Sequence, residues 1–313
     1  MSPLDPASAS AAVERAASAA RPLAREGVVA SYIPALAGAD PSLVGLALVD
    51  AEGRAFESGD SRRRFTMQSV SKPLALALAI ESAGEDAVFS RVGKEPTGDP
   101  FNSIIRLETS ERRKPFNPLI NAGAIVVSSL LPGSGAAEKG EAFRAFAGSL
   151  AGRGTLDRDE EVFRSERETG ARNRSIAWFL AELGLLACPV EDALDVYFRQ
   201  CAALVDALDL ARIGAVLALD GLEPGTGARL MAARTARVVK ALMFTCGLYD
   251  ESGEFGVDAG IPAKSGVGGG VMAAAPGRCG IGAYGPALDR RGNSVAGLAM
   301  ARALSAEFGL YAL

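Results

Sequence analysis

Short apolar runs separated by turn residues lie near both ends of the chain, and longer segments with helical spacing fill its middle. The run at residues 43–49, followed by a turn at 50–53 and a second short segment, predicts a β-hairpin. Beyond Thr245 the chain becomes Gly-rich, and its short apolar runs predict further strands followed by a last helix. These predicted strands are residues 255–261, 270–275, 280–284 and 294–301.

Segments of helical length begin at Lys72, and they predict helices at residues 74–83, 120–131, 142–151, 175–186, 190–208 and 228–242. Strands at both ends with helices between them predict an α+β fold, in which the N- and C-terminal segments form one sheet. We expect one domain over residues 1–313, with a sheet subdomain from about 1–70 and 245–313 and an inserted helical subdomain from about 71–244.

Composition and charge narrow the class of protein. Hydrophobic residues make up 49% of the 313 residues, which is enough for a packed core. The formal net charge is −4 and no Lys/Arg-rich run is present, so we expect no nucleic-acid partner. Charged residues interrupt the Ala-rich N-terminal stretch, and no run of eighteen apolar residues occurs. We therefore expect neither an export signal nor a membrane span, and a cytoplasmic location.

The sequence contains no histidine, which excludes a Ser-His-Asp or Cys-His mechanism and removes the commonest metal ligand. Its four cysteines are widely spaced and form no C-x-x-C pair, a pattern typical of buried free thiols. We expect no disulfide, no metal site and no cofactor. Any hydrolytic chemistry needs a base other than histidine.

Ser69 and Lys72 form an S-x-x-K motif at the start of a predicted helix. Residues three apart share a helix face, so the hydroxyl and the amine can meet. Exposed backbone N–H groups at the helix N-terminus favour an oxyanion and help to lower the pKa of the lysine. The motif is short and common, and the alternative is a serine that caps the helix beside a solvated lysine.

Lys264, Ser265 and Gly266 precede the Gly-rich run at 267–271 and resemble the K-T-G element of serine β-lactamases and penicillin-binding proteins. In that element a strand edge lines the site opposite the S-x-x-K serine. The backbone N–H groups of Val267 and Ser69 can then form an oxyanion hole. The alternative for the glycines is a tight turn or bulge, and a phosphate loop is not indicated because its spacing is absent.

Further motifs resemble the bacterial-type glutaminase family, which includes the catalytic domain of animal glutaminases. Matching stretches span nearly the whole chain, and Ala202 is a departure, because serine is expected after the Gln-Cys pair. The stretches are S-Y-I-P (31–34), G-K-E-P (93–96), F-N-S-I (101–104), N-P-L-I-N-A-G-A-I (117–125), S-E (165–166) with Thr169 and R-N (172–173), Y-F (197–198) with Q-C (200–201), T-C-G-L-Y-D (245–250) and G-N-S (292–294).

The resemblance implies a β-lactamase-like fold and a homo-oligomer, either dimer or tetramer, that hydrolyses L-glutamine to L-glutamate and ammonia. It implies that Ser69 is the nucleophile and Lys72 its activating partner, with Tyr249 beside them. Glutamine carries an ammonium, a carboxylate and a neutral amide, so its site needs one acceptor and several donors. The implied substrate-binding residues are Ser69, Asn121, Glu166, Asn173, Tyr197, Tyr249 and Val267, with Tyr32 and Ser265 as neighbours.

We expect Lys72 or Tyr249 to take the proton of Ser69, which attacks the amide carbon and forms an acyl-enzyme. Either residue needs a lowered pKa to act near neutrality. Taken singly, the asparagines are also typical of helix caps, the glutamate of a solvated surface and the tyrosines of a core. Two other classes of protein share these motifs, namely a penicillin-recognising hydrolase and a catalytically silent binding or scaffold protein.

Overall fold

A computed structural model describes residues 4–98 and 113–312 of the chain. Its strands are β1 (Gly45–Asp50), β2 (Ala55–Gly59), β3 (Phe65–Thr66), β4 (Leu204–Val205), β5 (Ala263–Ser265), β6 (Gly270–Ala275) and β7 (Cys279–Tyr284). Five of them form a central antiparallel sheet in the order β2-β1-β7-β6-β5, and β3 pairs separately with β4. The sheet thus comes from both terminal segments, as the sequence predicts.

Helices cover both faces of the sheet and fill the middle of the chain. In chain order they are α1 (Pro6–Ala20), α2 (Ser71–Ala83), α3 (Glu85–Phe89), α4 (Asn121–Ser129), α5 (Ala136–Leu150), α6 (Glu160–Thr169), α7 (Ala171–Glu182), α8 (Val190–Cys201), α9 (Ala207–Ala218), α10 (Ala233–Cys246), α11 (Ser252–Asp258) and α12 (Val295–Phe308). Short 3-10 helices cover Pro22–Glu26, Pro34–Leu36, Gln68–Val70 and Tyr249–Glu251.

The sheet is buried on both faces, and the alternation of side chains along β1 divides them between two parts of the core. Leu46 and Leu48 pack in one cluster with α1 and α12, whereas Ala47 and Val49 pack in the other with α9. Helix α9 lies very close to β7, because a Cβ placed on Gly282 would lie 1.9 Å from the carbonyl oxygen of Ala207. Glycine is required where backbones approach this closely.

Two predicted strands are wrong. Residues 255–261 are mostly in helix α11, and residues 294–301 belong to helix α12. The side chain of Ser294 caps α12 by accepting a hydrogen bond from the backbone N–H of Gly297 at 3.0 Å. The small residues after this cap satisfy a helical repeat as readily as a strand alternation, so the missed cap accounts for the second error.

The predicted helix at residues 190–208 is two elements, because α8 ends at Cys201 and β4 precedes α9. Helix α6 was not predicted, although Asp159 caps it by accepting hydrogen bonds from two backbone N–H groups at 3.0 Å. The predicted hairpin at residues 43–59 is confirmed by β1 and β2.

The predicted α+β class with an antiparallel sheet is confirmed. The β-lactamase-like assignment, the subdomain boundaries, the cytoplasmic location and the homo-oligomeric state remain predictions. Within residues 4–98 and 113–312, no helix is long and apolar enough to cross a membrane.

Candidate active site

Ser69 lies where the chain turns from β3 into helix α2. The residue before it, Gln68, has a φ of 49°, and the 3-10 helix Gln68–Val70 leads directly into α2. Non-glycine residues in this left-handed region are uncommon and cluster at functional sites. Ser69 is buried in the protein but faces a cavity of about 100 Å³. The turn therefore presents the hydroxyl of a helix-terminal serine to a small, partly open cavity.

The cavity brings together predicted residues that are far apart in the sequence. Lys72, Tyr249 and Ser265 do not line it, but Lys72 contacts a lining residue and Tyr249 contacts Ser69 and Ser265. The predicted residues that line the cavity are Tyr32, Ser69, Asn121, Glu166, Asn173, Tyr197 and Val267. The structure thus gathers every predicted site residue in or directly beside one cavity.

Lys72 lies one helical turn after Ser69 and is 1% exposed. Its amine donates a 2.7 Å hydrogen bond to Oδ1 of Asn121 and a 3.2 Å hydrogen bond to the carbonyl oxygen of Leu119. Burial lowers the pKa of Lys72 to about 8, against the opposing influence of Cys201 and Glu166. The sequence predicts this direction for the pKa of Lys72, since a buried ammonium loses its hydration.

Asn121 begins helix α4 and connects three neighbours. Its Oδ1 accepts hydrogen bonds from Lys72 and from the hydroxyl of Tyr197, the latter at 3.2 Å. Its Nδ2 donates to Oδ1 of Asn173 at 3.0 Å. Because two donors flank Oδ1, the orientation of the amide is fixed.

Tyr249 contacts the nucleophile Ser69, and its backbone is also left-handed, with a φ of 57°. Burial raises the pKa of Tyr249 to about 12, with the hydrogen-bonding hydroxyls of Ser69 and Ser265 opposing that shift. Of the two candidate bases, Tyr249 therefore lacks the lowered pKa that acting as a base near neutrality needs, because the loss of hydration outweighs the local hydrogen bonds. The phenol remains protonated at neutral pH.

Glu166 lies on helix α6, is 6% exposed and supplies a carboxylate to the cavity. Burial raises the pKa of Glu166 to about 7, although a hydrogen bond with Gln68 and the charge of Lys72 act in the opposite direction. The charge of this carboxylate therefore changes near neutral pH. Tyr32 is 56% exposed and lies at the edge of the same cavity.

Strand β5 carries Lys264 and Ser265 and is followed by Gly266, which lies against the nucleophile turn. A Cβ on Gly266 would lie 2.6 Å from the carbonyl oxygen of Met67 and 3.2 Å from the amide nitrogen of Ser69. Only glycine allows this approach. The amine of Lys264 lies 4.4 Å from the centroid of the Tyr249 ring and donates to the Ser265 carbonyl oxygen at 2.6 Å.

Gln68 and Arg172 also line the cavity but were not predicted as site residues. Arg172 belongs to a stretch that carries the family resemblance and Gln68 directly precedes Ser69, so adjacency to Asn173 and Ser69 was the available signal. All four cysteines are free. Among the residues that the structure describes, no group of three or more Cys, Asp and Glu side chains could hold a metal ion. The F-N-S-I motif lies outside the described residues.

Comparison with known proteins identifies the family. The profile described as glutaminase matches residues 27–312. A curated glutaminase from Shouchella clausii is 48% identical over 293 residues, covering 94% of this chain and 95% of the relative. One from Geobacillus thermodenitrificans is 49% identical over 291 residues, covering 93% and 94%. The chain therefore belongs to the glutaminase family, and the prediction that it is a glutaminase is confirmed.

Solved structures agree with this assignment. A probable glutaminase from Bacillus subtilis superimposes with a TM-score of 0.90 at 41% identity, covering 96% of each chain. A probable glutaminase from the same organism, solved in complex with 6-diazo-5-oxo-L-norleucine, gives a TM-score of 0.90 at 38% identity and covers 100% of this chain and 99% of that one.

Proposed function

We propose that the chain hydrolyses L-glutamine to L-glutamate and ammonia through an acyl-enzyme on Ser69. The observation that carries this proposal is the shared cavity, in which a nucleophile, a carboxylate and amide and phenol groups face one another. Glu166 accepts the α-ammonium of glutamine, and Asn173 and Tyr197 supply donors to its other polar groups. The Bacillus subtilis relative bound to 6-diazo-5-oxo-L-norleucine supports a substrate of this shape.

Lys72 is suited to act as the base in its neutral form. A neutral amine has two N–H donors and one lone pair. The acceptors Asn121 Oδ1 and Leu119 O engage both donors. The lone pair is then free to receive the proton of Ser69, and a pKa of about 8 makes the neutral amine accessible near physiological pH.

The reaction begins when Lys72 takes the proton of Ser69, either directly or through Tyr249, and Oγ bonds to the amide carbon. The N–H groups of Ser69 and Val267 stabilise the oxyanion. The C–N bond then breaks while Tyr249 donates its proton to the leaving nitrogen, and the ammonium of Lys72 returns a proton to Tyr249. Water releases glutamate from the ester by the same transfers in reverse, so Lys72 and Tyr249 act as a coupled pair.

An assay of glutamine-dependent ammonia release from the purified protein tests the proposal. We expect turnover in the wild type and none in Ser69→Ala. Ser82→Ala is the matched control, since Ser82 lies exposed near the end of the same helix and donates only to carbonyl oxygens of that helix. Turnover retained in Ser69→Ala would exclude this serine as the nucleophile.

Covalent labelling provides an independent test. Treatment with 6-diazo-5-oxo-L-norleucine followed by peptide mapping should place the label on Ser69. Label on a cysteine with Ser69 unmodified would contradict the mechanism. Hydrolysis of a chromogenic cephalosporin without ammonia release from glutamine would instead support the penicillin-recognising class.

A further inference from the structure

A second and larger cavity lies against the one that holds Ser69. It has a volume of about 640 Å³ and is lined by two chain segments, residues 28–32 and 288–292, together with Glu26 and Val267. We call it the outer groove. Tyr32 and Val267 line both the outer groove and the Ser69 cavity, so the two spaces share one wall.

The outer groove meets the reaction centre at Gly292. A Cβ placed on Gly292 would lie 3.5 Å from Cγ1 of Val267 and 3.7 Å from Cε2 of Tyr249. Cε2 is bonded to the ring carbon that carries the phenol oxygen, and the backbone N–H of Val267 belongs to the proposed oxyanion hole. A ligand atom at the position of that Cβ would therefore be in van der Waals contact with both residues.

This end of the outer groove lies on the leaving-group side of the substrate. The proposed function assigns to Tyr249 the proton transfer to the leaving nitrogen, which places that nitrogen at the phenol hydroxyl. Glu166 and Asn173, which are proposed to bind the α-groups of glutamine, line the Ser69 cavity but not the outer groove. A substituent on the amide nitrogen can therefore enter the groove while the α-groups stay in the Ser69 cavity.

The two segments that line the outer groove are joined to each other by their backbones. The N–H and the carbonyl oxygen of Val28 each hydrogen-bond with Leu288 at 2.9 Å. A Cβ on Gly27 would lie 2.7 Å from the carbonyl carbon of Ala287, so only glycine allows this approach. The groove is therefore formed before a ligand enters it, which keeps the cost of ordering its walls low.

The part of the outer groove next to the reaction centre is apolar. Val267 packs in one cluster with Ala30 and Leu288, both of which line the groove. Val28 also lines the groove, and its side chain is 75% exposed. Such a surface favours an apolar ligand group, because burying it removes apolar area from water.

The charged side chains of the outer groove do not favour an ion. Asp289 accepts from the backbone N–H groups of Arg291 and Asn293 at 2.8 Å and 2.9 Å, and Arg291 pairs with Glu254 at 3.2 Å. The charged residues that line the groove are two acids and two bases, namely Glu26, Asp289, Arg290 and Arg291. Since neither sign of charge predominates, a neutral group fits better than a cation or an anion.

We propose that the outer groove holds a short alkyl substituent on the amide nitrogen, so that γ-glutamyl alkylamides are substrates of the enzyme as well as glutamine. This inference rests on the proposed function, because it uses the same acyl-enzyme. Oγ of Ser69 bonds to the amide carbon, the C–N bond breaks, and the proton of Tyr249 passes to the nitrogen. A primary alkylamine leaves in place of ammonia, and water then releases glutamate from the ester.

Glutamate release from γ-glutamyl ethylamide, propylamide and butylamide, measured beside glutamine, tests the inference. The three amines have nearly the same basicity, so the chemistry of the leaving group stays constant while the apolar area grows. Full burial of a methylene improves binding about fourfold, and a chain in a groove open on one side gains less. We expect kcat/KM to rise about twofold with each added methylene. A series that stays level or falls, or no glutamate from any of the three, would overturn the inference.

Val28→Glu places a charge on the wall of the outer groove. It should lower kcat/KM for the butylamide about tenfold or more, because an apolar chain cannot satisfy a desolvated carboxylate. Glutamine has no substituent to place there, so its kcat/KM should stay within about twofold of the wild type. Val257→Glu is the matched control, since Val257 is 74% exposed but lies on α11 outside the groove, and it should change neither substrate. Equal losses on both substrates in Val28→Glu would count against the groove as the site of the substituent.

Ser69→Ala separates this inference from the proposed function. Both substrates should be lost in that variant, because they share one nucleophile. Turnover of glutamine by the wild type without cleavage of any alkylamide would overturn the inference and leave the proposed function intact. Alkylamide cleavage that survived in Ser69→Ala would place that activity at another site and would also overturn the inference.

Discussion

The amine of Lys72 lies 2.7 Å from Oδ1 of Asn121, and this contact joins the proposed base to a side chain that lines the substrate cavity. The same oxygen accepts from Tyr197, and the amide donates to Asn173. Substrate binding and the protonation of Lys72 are therefore coupled through one neutral amide. Replacing that amide by a carboxylate should alter the base without changing the size of the side chain.

Asn121→Asp should move the alkaline rise of activity to higher pH. A carboxylate at this distance stabilises the ammonium of Lys72, and opposite charges within such a distance shift a pKa by about 1–3 units. Since the neutral amine is the active form, kcat at pH 7 should fall. A pH profile of kcat from 6 to 10 measures the shift, and Asn173→Asp, one contact further away, should shift it less. An unmoved profile would argue against Lys72 as the base.

Protonation of Glu166 should appear in KM. Its pKa is raised to about 7, so its carboxylate is present above that pH and is lost as the pH falls. KM for glutamine should therefore rise below pH 7, because a neutral carboxyl binds the α-ammonium less strongly. Glu166→Gln should raise KM at pH 8 about tenfold or more, the value of one charge-assisted hydrogen bond. It should also abolish this dependence of KM on pH, and a dependence that survived would belong to another group.

The S-x-x-K pair could be predicted from sequence because residues three apart on a helix are neighbours whatever the rest of the fold does. The contact of Tyr249 with Ser69 was predictable only through the family resemblance, because the two residues lie in segments distant in sequence. The sequence left open which of Lys72 and Tyr249 has the lower pKa, since burial depends on packing that no local pattern encodes. The wrong strand at residues 294–301 arose from small residues that fit either periodicity.

Gly266→Ala should impair both activity and stability. The added Cβ would meet two backbone atoms, the Met67 carbonyl oxygen at 2.6 Å and the Ser69 amide nitrogen at 3.2 Å, and neither can rotate away. Overpacking of this kind costs about 1–3 kcal/mol in the free energy of unfolding. A displacement of the nucleophile by about 1 Å lowers kcat about a hundredfold.

Thermal unfolding and the ammonia assay measure the two effects of Gly266→Ala. Gly38→Ala is the control, since nothing lies within 4 Å of a Cβ at Gly38, and it should change neither quantity. Wild-type kcat in Gly266→Ala would show that the strand edge need not approach Ser69 for catalysis.

The pH dependence of the wild type should distinguish the roles of Lys72 and Tyr249. Burial lowers the pKa of Lys72 to about 8 and raises that of Tyr249 to about 12. The amine therefore loses its proton within the working range, whereas the phenol keeps it. We expect kcat/KM to increase from pH 7 to about 9, with an apparent pKa near 8 that is set by Lys72.

Tyr249→Phe keeps the aromatic ring and removes the hydroxyl. Loss of a proton donor should lower kcat by about a hundredfold or more, while the apparent pKa near 8 stays in place because Lys72 still titrates. If that pKa vanished in Tyr249→Phe, the titration would belong to the tyrosine. A wild-type profile that was flat from about pH 6 upward would instead exclude Lys72 as the base, because the proton acceptor would then be a group already deprotonated at pH 6. Recording kcat at saturating glutamine beside kcat/KM removes the contribution of Glu166 to KM, so that the pH dependence of kcat reports on the proton transfers at Ser69 alone.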